Sequence, residues 1–184
     1  MLTVRRLLVA ATSLAISSAW CSSASAIDWI TELPKPEEVR RATLAFHGLN
    51  VDTYVPVTEL TLFQNGCVYA SKPGSDEHLE LLAILRDGLA LSDRGPHRFR
   101  LRTAIHLHLT DGSVFSLSIS DAHHRTPGVV GTVDDERRDA QGFLSSDEAL
   151  PIALRTWARK RLEPRNRSSF CHEPLSPLRP PTGS

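Results

Sequence analysis

The stretch Ala104–Ser120, AIHLHLTDGSVFSLSIS, alternates apolar and polar residues on both sides of the tripeptide Thr110–Gly112. Two alternating runs around a glycine-containing break predict a β-hairpin. A two-residue turn would place Leu107 opposite Ser116, which is unfavourable because that register mixes the buried and exposed faces. A three-residue loop with its glycine in the left-handed region instead places Leu107 opposite Phe115. We therefore predict a hairpin with this longer loop.

Histidines cluster in and just after this hairpin. The candidate metal ligands are His106, His108, His123 and His124. The first two stand two apart on a strand, so both point away from its apolar face and could share a zinc or copper ion. A tight zinc site needs at least a third ligand, but the predicted cross-strand neighbours are Ser116 and Val114. The favoured interpretation is therefore a solvated sheet face whose histidines titrate near neutral pH.

A second segment, Val57–Ser71 (VTELTLFQNGCVYAS), repeats the same design around the tripeptide Gln64–Gly66. We predict a hairpin here as well, with Phe63 paired with Cys67. Between the two hairpins, the segment 75–91 (SDEHLELLAILRDGLAL) repeats leucines at helical spacing. The predicted fold is α+β: an antiparallel sheet from two β-hairpins (β-β-α-β-β), with a helix packed on one face.

The flanking segments predict two further helices. The segment 35–50 (KPEEVRRATLAFHGLN) has an early proline and glutamates, which favour a short helix, although a strand over RATLAF is the alternative. Pro151–Leu162 (PIALRTWARKRL) predicts a C-terminal helix. Residues 121–143 show no clear period, which indicates a long loop that is either mobile or functional.

The first 26 residues have the pattern of a secretory signal peptide. Arg5 and Arg6 precede the apolar run LLVAATSLAIS, and small residues stand at Ala24 and Ala26. We expect cleavage after Ala26 and a periplasmic or extracellular product with no transmembrane segment in the mature chain. The predicted organisation is a signal peptide (1–26), a single domain (27–162) and a Pro/Ser-rich tail (163–184) that is extended or disordered apart from Cys171.

Two cysteines, Cys67 and Cys171, lie beyond the predicted cleavage point. An even pair in an oxidising compartment usually forms a disulfide, so we predict a Cys67–Cys171 bond. Free buried thiols and an intermolecular bridge are the alternatives.

Charge is distributed unevenly along the chain. Residues 27–150 carry 12 basic and 19 acidic side chains, whereas residues 151–184 carry 7 basic and 2 acidic ones. An acidic body with a basic end favours either an electrostatic contact between these two parts of the chain or contact of the basic end with an anionic surface. This balance of basic and acidic side chains does not favour nucleic acid as a partner, since the protein is expected to be exported.

The sequence contains no catalytic motif that would select a reaction, and we predict no catalytic residues and no cofactor. The first functional hypothesis is a small exported binding protein, such as an inhibitor, an immunity-type protein or an envelope accessory protein. Its partner would be another protein or an envelope component. The second hypothesis is a metal-binding or pH-responsive protein based on the four histidines. The third is a hydrolase with a site assembled in space.

Overall fold

The computed structural model describes residues 33–48, 55–72, 75–91, 99–120, 129–146, 149–161 and residue 171. The strands in these residues are β1 (Val39–Phe46), β2 (Cys67–Ala70), β3 (Ala90–Leu91), β4 (Leu101–Leu109), β5 (Val114–Ser120), β6 (Val129–Asp135) and β7 (Ala140–Ser146). The helices are α1 (Glu59–Asn65), α2 (Glu77–Gly88) and α3 (Ala149–Arg159), and short 3-10 turns span Pro36–Glu38 and Glu136–Arg138. The predicted signal peptide and nearly all of the predicted tail lie outside the described residues.

The strands form one antiparallel sheet in the order β2-β1-β4-β5-β6-β7-β3. The α+β class is therefore confirmed, whereas the predicted β-β-α-β-β layout with flanking helices is not. Among the described residues, no helix is long and apolar enough to cross a membrane.

The β4–β5 hairpin has the predicted register. Leu107 lies opposite Phe115, and the amide of Leu109 donates to the carbonyl of Ser113 at 2.9 Å across a three-residue loop. Gly112 has a φ of +92°, a conformation that residues with a Cβ rarely adopt. The alternation of the sequence and the single glycine were sufficient to fix this element.

The predicted hairpin at 57–71 is wrong. Its first half is the helix α1, which Thr58 caps by accepting a hydrogen bond from the backbone amide of Thr61. Its second half, β2, pairs with β1 rather than with residues 57–63, and Cys67 lies opposite Phe46 instead of Phe63. Gly66 permits the sharp entry into β2, because an added Cβ would clash with the Leu62 carbonyl.

Two further predictions are corrected by the sheet. The predicted N-terminal helix exists only as the 3-10 turn Pro36–Glu38, and the alternative strand is present as β1, between β2 and β4. The predicted long loop at 121–143 contains β6 and most of β7, joined through the turn Glu136–Arg138 and Asp139 in the left-handed region. At the C-terminal end, α3 spans Ala149–Arg159 rather than the predicted Pro151–Leu162.

The inner face of the sheet is the face covered by α2 and α3. Its core joins strand residues such as Leu107 and Leu117 to Leu82, Leu85 and Leu154 of the two helices. Burial of this continuous apolar surface is the main source of stability. The predicted leucine stripe of α2 thus faces the core.

Two buried connections tie the C-terminal part of the chain to this face. The Arg155 guanidinium donates to the carbonyls of His47 and Arg102 and to Thr103 Oγ1 (3.1 Å). Cys67 and Cys171 are joined as a disulfide, with their Cα atoms 5.6 Å apart, within the usual range. The predicted pairing is thus the one that the structure forms.

The outer face of the sheet carries α1. Leu62 of this helix packs with Ala45, Leu101 and Ala104 in a small second core. The predicted solvated histidine face is therefore wrong in part, because α1 packs against β4, where the histidines lie. Phe63 of α1 lies with its ring centroid 4.5 Å from that of His106.

Candidate functional site

Polar side chains form two rows across the outer face, because residues paired in register share a face. One row runs from β1 to β7 through Thr43, His106, Ser116, Asp134 and Gln141. The adjacent row runs through Ala45, Ala104, Ser118, Thr132 and Phe143. The alanine end of the second row lies in the small core that includes Leu62 of α1. The β5–β7 end of both rows is polar, apart from Phe143.

Glu59, the first residue of α1, connects this helix to the sheet. Ser118 Oγ donates a hydrogen bond to Glu59 Oε1, and His106 Nε2 donates to Glu59 Oε2 at 3.1 Å. The hydrogen bond from His106 holds the pKa of the Glu59 carboxyl below its ordinary value, and the Ser118 hydroxyl acts in the same direction. Glu59 is therefore ionised at neutral pH and joins α1 to both β4 and β5.

A groove of about 290 Å³ opens beside Glu59 over β5, β6 and β7. The side chains that contribute polar or aromatic groups to it are Glu59, Ser116, Ser118, Thr132, Asp134, Gln141 and Phe143. Gln141 Nε2 donates to Asp134 Oδ2 at 3.1 Å, which fixes one wall. Phe143 is 42% exposed. The groove therefore combines several hydrogen-bonding groups with one open aromatic ring.

The predicted histidine pair is placed as its register required. His106 lies opposite Ser116, His108 lies opposite Val114, and the two ring centroids are 6.3 Å apart. Burial lowers the pKa of His108, and Thr43 Oγ1 lies 3.5 Å from its Nε2. The pair is half-buried rather than open to solvent.

The metal hypothesis gains no third ligand in the part of the chain described above. No group of three His, Cys, Asp or Glu side chains there is placed to hold a metal ion. The Nε2 atom of His106 is already engaged by Glu59. His123 and His124 lie outside the described residues, so the zinc or copper hypothesis stays a prediction.

The hydrolase hypothesis also stays a prediction, and the Ser118–Glu59–His106 arrangement at the edge of the groove is not that of a serine nucleophile. In a catalytic triad the histidine lies between the serine and the acid. Here the carboxylate of Glu59 lies between Ser118 and His106. A carboxylate with a lowered pKa is a poor base for a serine hydroxyl, so this arrangement favours a structural connection.

Glu59, Asp134, Gln141 and Phe143 were absent from the predicted site. Glu59 was assigned to a strand, and the other three to a long loop, 121–143, that was expected to be either mobile or functional. The one sequence signal for Glu59 is the Thr58-x-x-Thr61 spacing, which resembles a helix N-cap pattern. Asp134 and its neighbours acquire a common face only through the pairing of β5, β6 and β7.

No protein-family model, no curated protein and no solved structure matches this chain.

Proposed function

We propose that this chain is a small exported, non-catalytic binding protein. Its ligand site is the groove between Glu59 and Phe143 on the outer face of the sheet. The partner is another protein or an envelope component, as expected of an inhibitor, an immunity-type protein or an envelope accessory protein.

The polar groove is the observation that carries this proposal. Among the described residues, neither Ser116 nor Thr132 has a side-chain hydrogen bond within the protein, so both hydroxyls are available to a ligand. Rigid strands hold these hydroxyls, and a fixed scaffold lowers the entropy lost on binding. The exposed ring of Phe143 adds the aromatic contact surface that is enriched at protein interfaces. The Glu59 arrangement, in contrast, offers no activated nucleophile.

Export is supported by the first 26 residues and by the cysteine pair. A basic start, an apolar run and small residues before the expected cleavage point are the three parts of a signal peptide. A disulfide between Cys67 and Cys171 suits an oxidising compartment.

Export is tested by expressing the full chain in a bacterium and fractionating the cells. We expect a processed protein that begins at Ile27 by mass spectrometry, in the periplasm or the medium. The control variant Ala24→Arg/Ala26→Arg removes the small residues and should remain unprocessed. A wild-type protein that stays unprocessed in the cytoplasm would contradict the export proposal.

Binding is tested by affinity capture from envelope extract with the purified wild type and a pair of matched variants. Phe143→Ala alters the groove, whereas Leu79→Ala removes a similarly exposed side chain (41%) from α2 on the other side of the sheet. We expect a partner that wild type and Leu79→Ala retain and that Phe143→Ala loses. Equal capture by both variants would show that the groove is not the binding site.

A pH-responsive function is the second candidate, favoured by the connection of α1 to the sheet through Glu59. The pKa of Glu59 is lowered by its hydrogen bond from His106, and the pKa of His108 is lowered by burial. The charged or titratable groups that act on Glu59 or His108 are His106 on β4, Arg41 on β1 and Glu136 after β6. Both shifts make the fold less stable in acid, since the unfolded chain takes up protons more readily.

The pH-responsive hypothesis is tested by recording backbone amide resonances by NMR between pH 7 and pH 4. We expect the resonances of α1 and of residues around His108 to move or broaden before those of α2 and α3. Uniform behaviour of all three helices would exclude a local response of α1.

A further inference from the structure

The groove is rich in hydrogen-bond acceptors and negative charge. Glu59 and Asp134 contribute carboxylates, and Ser116 and Thr132 contribute hydroxyl oxygens. Among the described residues that line it, none is a lysine or an arginine. Such a surface attracts a cationic group and disfavours an anionic one.

An aromatic ring lies within reach of one of these carboxylates. Asp134 is paired with Gln141, and Phe143 is the next residue on the same face of β7. Diagonal neighbours of this kind in an antiparallel sheet are about 7–8 Å apart. One planar cation can therefore lie over the Phe143 ring and still direct its N–H groups to the Asp134 carboxylate.

We infer that the groove binds an arginine side chain presented by a partner polypeptide. The guanidinium stacks on Phe143 and donates to Asp134, and its remaining N–H groups reach the hydroxyls of Ser116 and Thr132. Arginine fits better than lysine because its planar group stacks on rings and donates to a carboxylate through two N–H groups at once. This inference rests on the proposed binding function and specifies the ligand class for the same groove.

The inference is tested by NMR titration of the protein purified after expression of the full chain. The probe is the capped tripeptide acetyl-Gly-Arg-Gly-amide, compared with its citrulline counterpart, which has the same shape without the charge. We expect the arginine peptide to shift the amide resonances of Ser116, Thr132 and Phe143. The citrulline peptide should bind at least about twofold to fivefold more weakly, the range for one exposed ion pair.

A matched pair of charge variants distinguishes binding of the arginine peptide in the groove from its general attraction to the negative charges of the protein. Asp134→Asn should weaken binding of the arginine peptide by about twofold to fivefold, whereas Asp87→Asn, at an exposed position on α2, should leave it unchanged. Binding should also weaken at 0.5 M salt, because screening reduces exposed charge interactions. Equal effects of the two variants would overturn the inference.

One further probe and the capture experiment distinguish failure of the ligand class from failure of the proposed function. If methyl α-glucoside shifts the groove resonances and the arginine peptide does not, the ligand class is wrong and the binding site stands. If no probe binds but capture from envelope extract still depends on Phe143, arginine recognition is again wrong and the binding function stands. If no probe binds and capture is independent of Phe143, both proposals fail.

Discussion

The two faces of the sheet differ in how they are covered by the rest of the described chain. The inner face joins α2, α3 and most of the strands in one continuous core, and it is tied further by Arg155 and the Cys67–Cys171 disulfide. Among the described residues, the outer face carries the seven-residue helix α1 and a small second core. Apolar burial is therefore concentrated on one side of the sheet, and the other side keeps the polar groove that we propose as the binding site.

Removal of the disulfide is expected to have the largest effect on the inner face. The bond closes a loop with a sequence separation of 104, for which the chain-entropy model gives about 4–5 kcal/mol. Cys67→Ser/Cys171→Ser should therefore lower the free energy of unfolding by about 4 kcal/mol in urea denaturation. Reductant should destabilise the wild type by a similar amount and leave the double variant unchanged. A wild type that is insensitive to reductant would contradict this role.

The next largest effect is expected from substitutions in β5, whose cost in unfolding free energy should depend on the face of the strand. Leu117 is fully buried against the inner core, and Leu117→Ala should cost about 3 kcal/mol through lost burial and a residual cavity. Val114 lies on the outer face of the same strand and is only half-buried, so Val114→Ala should cost less than about 1 kcal/mol. Urea denaturation of both variants measures the asymmetry, and equal losses would disprove it.

Loss of the hydrogen bonds to Glu59 should have a smaller, pH-dependent effect on the free energy of unfolding. Because the pKa of Glu59 is lowered in the folded protein, its contribution is present above the ordinary value of 4.5 and is lost as pH falls through the folded pKa. Glu59→Gln should cost roughly 1 kcal/mol at pH 7, a value reduced by the partial exposure of the side chain. The difference from wild type should shrink below pH 4.

The matched control for this prediction is Glu37→Gln, an exposed carboxylate in the 3-10 turn. Its unfolding free energy should stay within about 0.5 kcal/mol of wild type at pH 7. A Glu59→Gln variant with the same stability as wild type at pH 7 would show that α1 is held by its apolar contacts alone.

The groove itself should contribute least to stability. Phe143 is 42% exposed, so Phe143→Ala should change the free energy of unfolding by less than about 0.5–1 kcal/mol. The same variant should lose partner capture, which separates binding from folding. A large loss of stability in Phe143→Ala would instead assign this ring to the core.

Local signals in the sequence were sufficient to predict some secondary-structure elements and insufficient to predict others. The β4–β5 hairpin was predicted to the residue pair, because alternation and Gly112 agree with the global fold. The helix α1 was missed because the segment 57–63 also fits an alternating pattern, and only packing of Leu62 against β1 and β4 decides between the two. Pro36 and the two glutamates before β1 form a single 3-10 turn, whereas their pattern predicts the start of a longer helix.

The candidate site was harder to predict than the fold, because its residues come together only through strand pairing. His106 and His108 were placed correctly, since one strand determines their direction. Asp134 and Phe143 lie on β6 and β7, whose sequences VVGTVDD and AQGFLSS show little alternation. Gly131 of β6 faces Leu144 of β7 in the core, so the inner face of these strands carries few apolar side chains to reveal a period.

The most direct test of the account is site-specific photo-crosslinking of the partner. A photoreactive phenylalanine is placed at Phe143 in one sample and at Leu79 in another, since the two positions are similarly exposed on opposite sides of the sheet. After incubation with envelope extract and irradiation, we predict a covalent adduct to the captured partner from position 143 and none from position 79. An adduct from position 79 alone, or equal adducts from both positions, would contradict the assignment of the groove as the binding site.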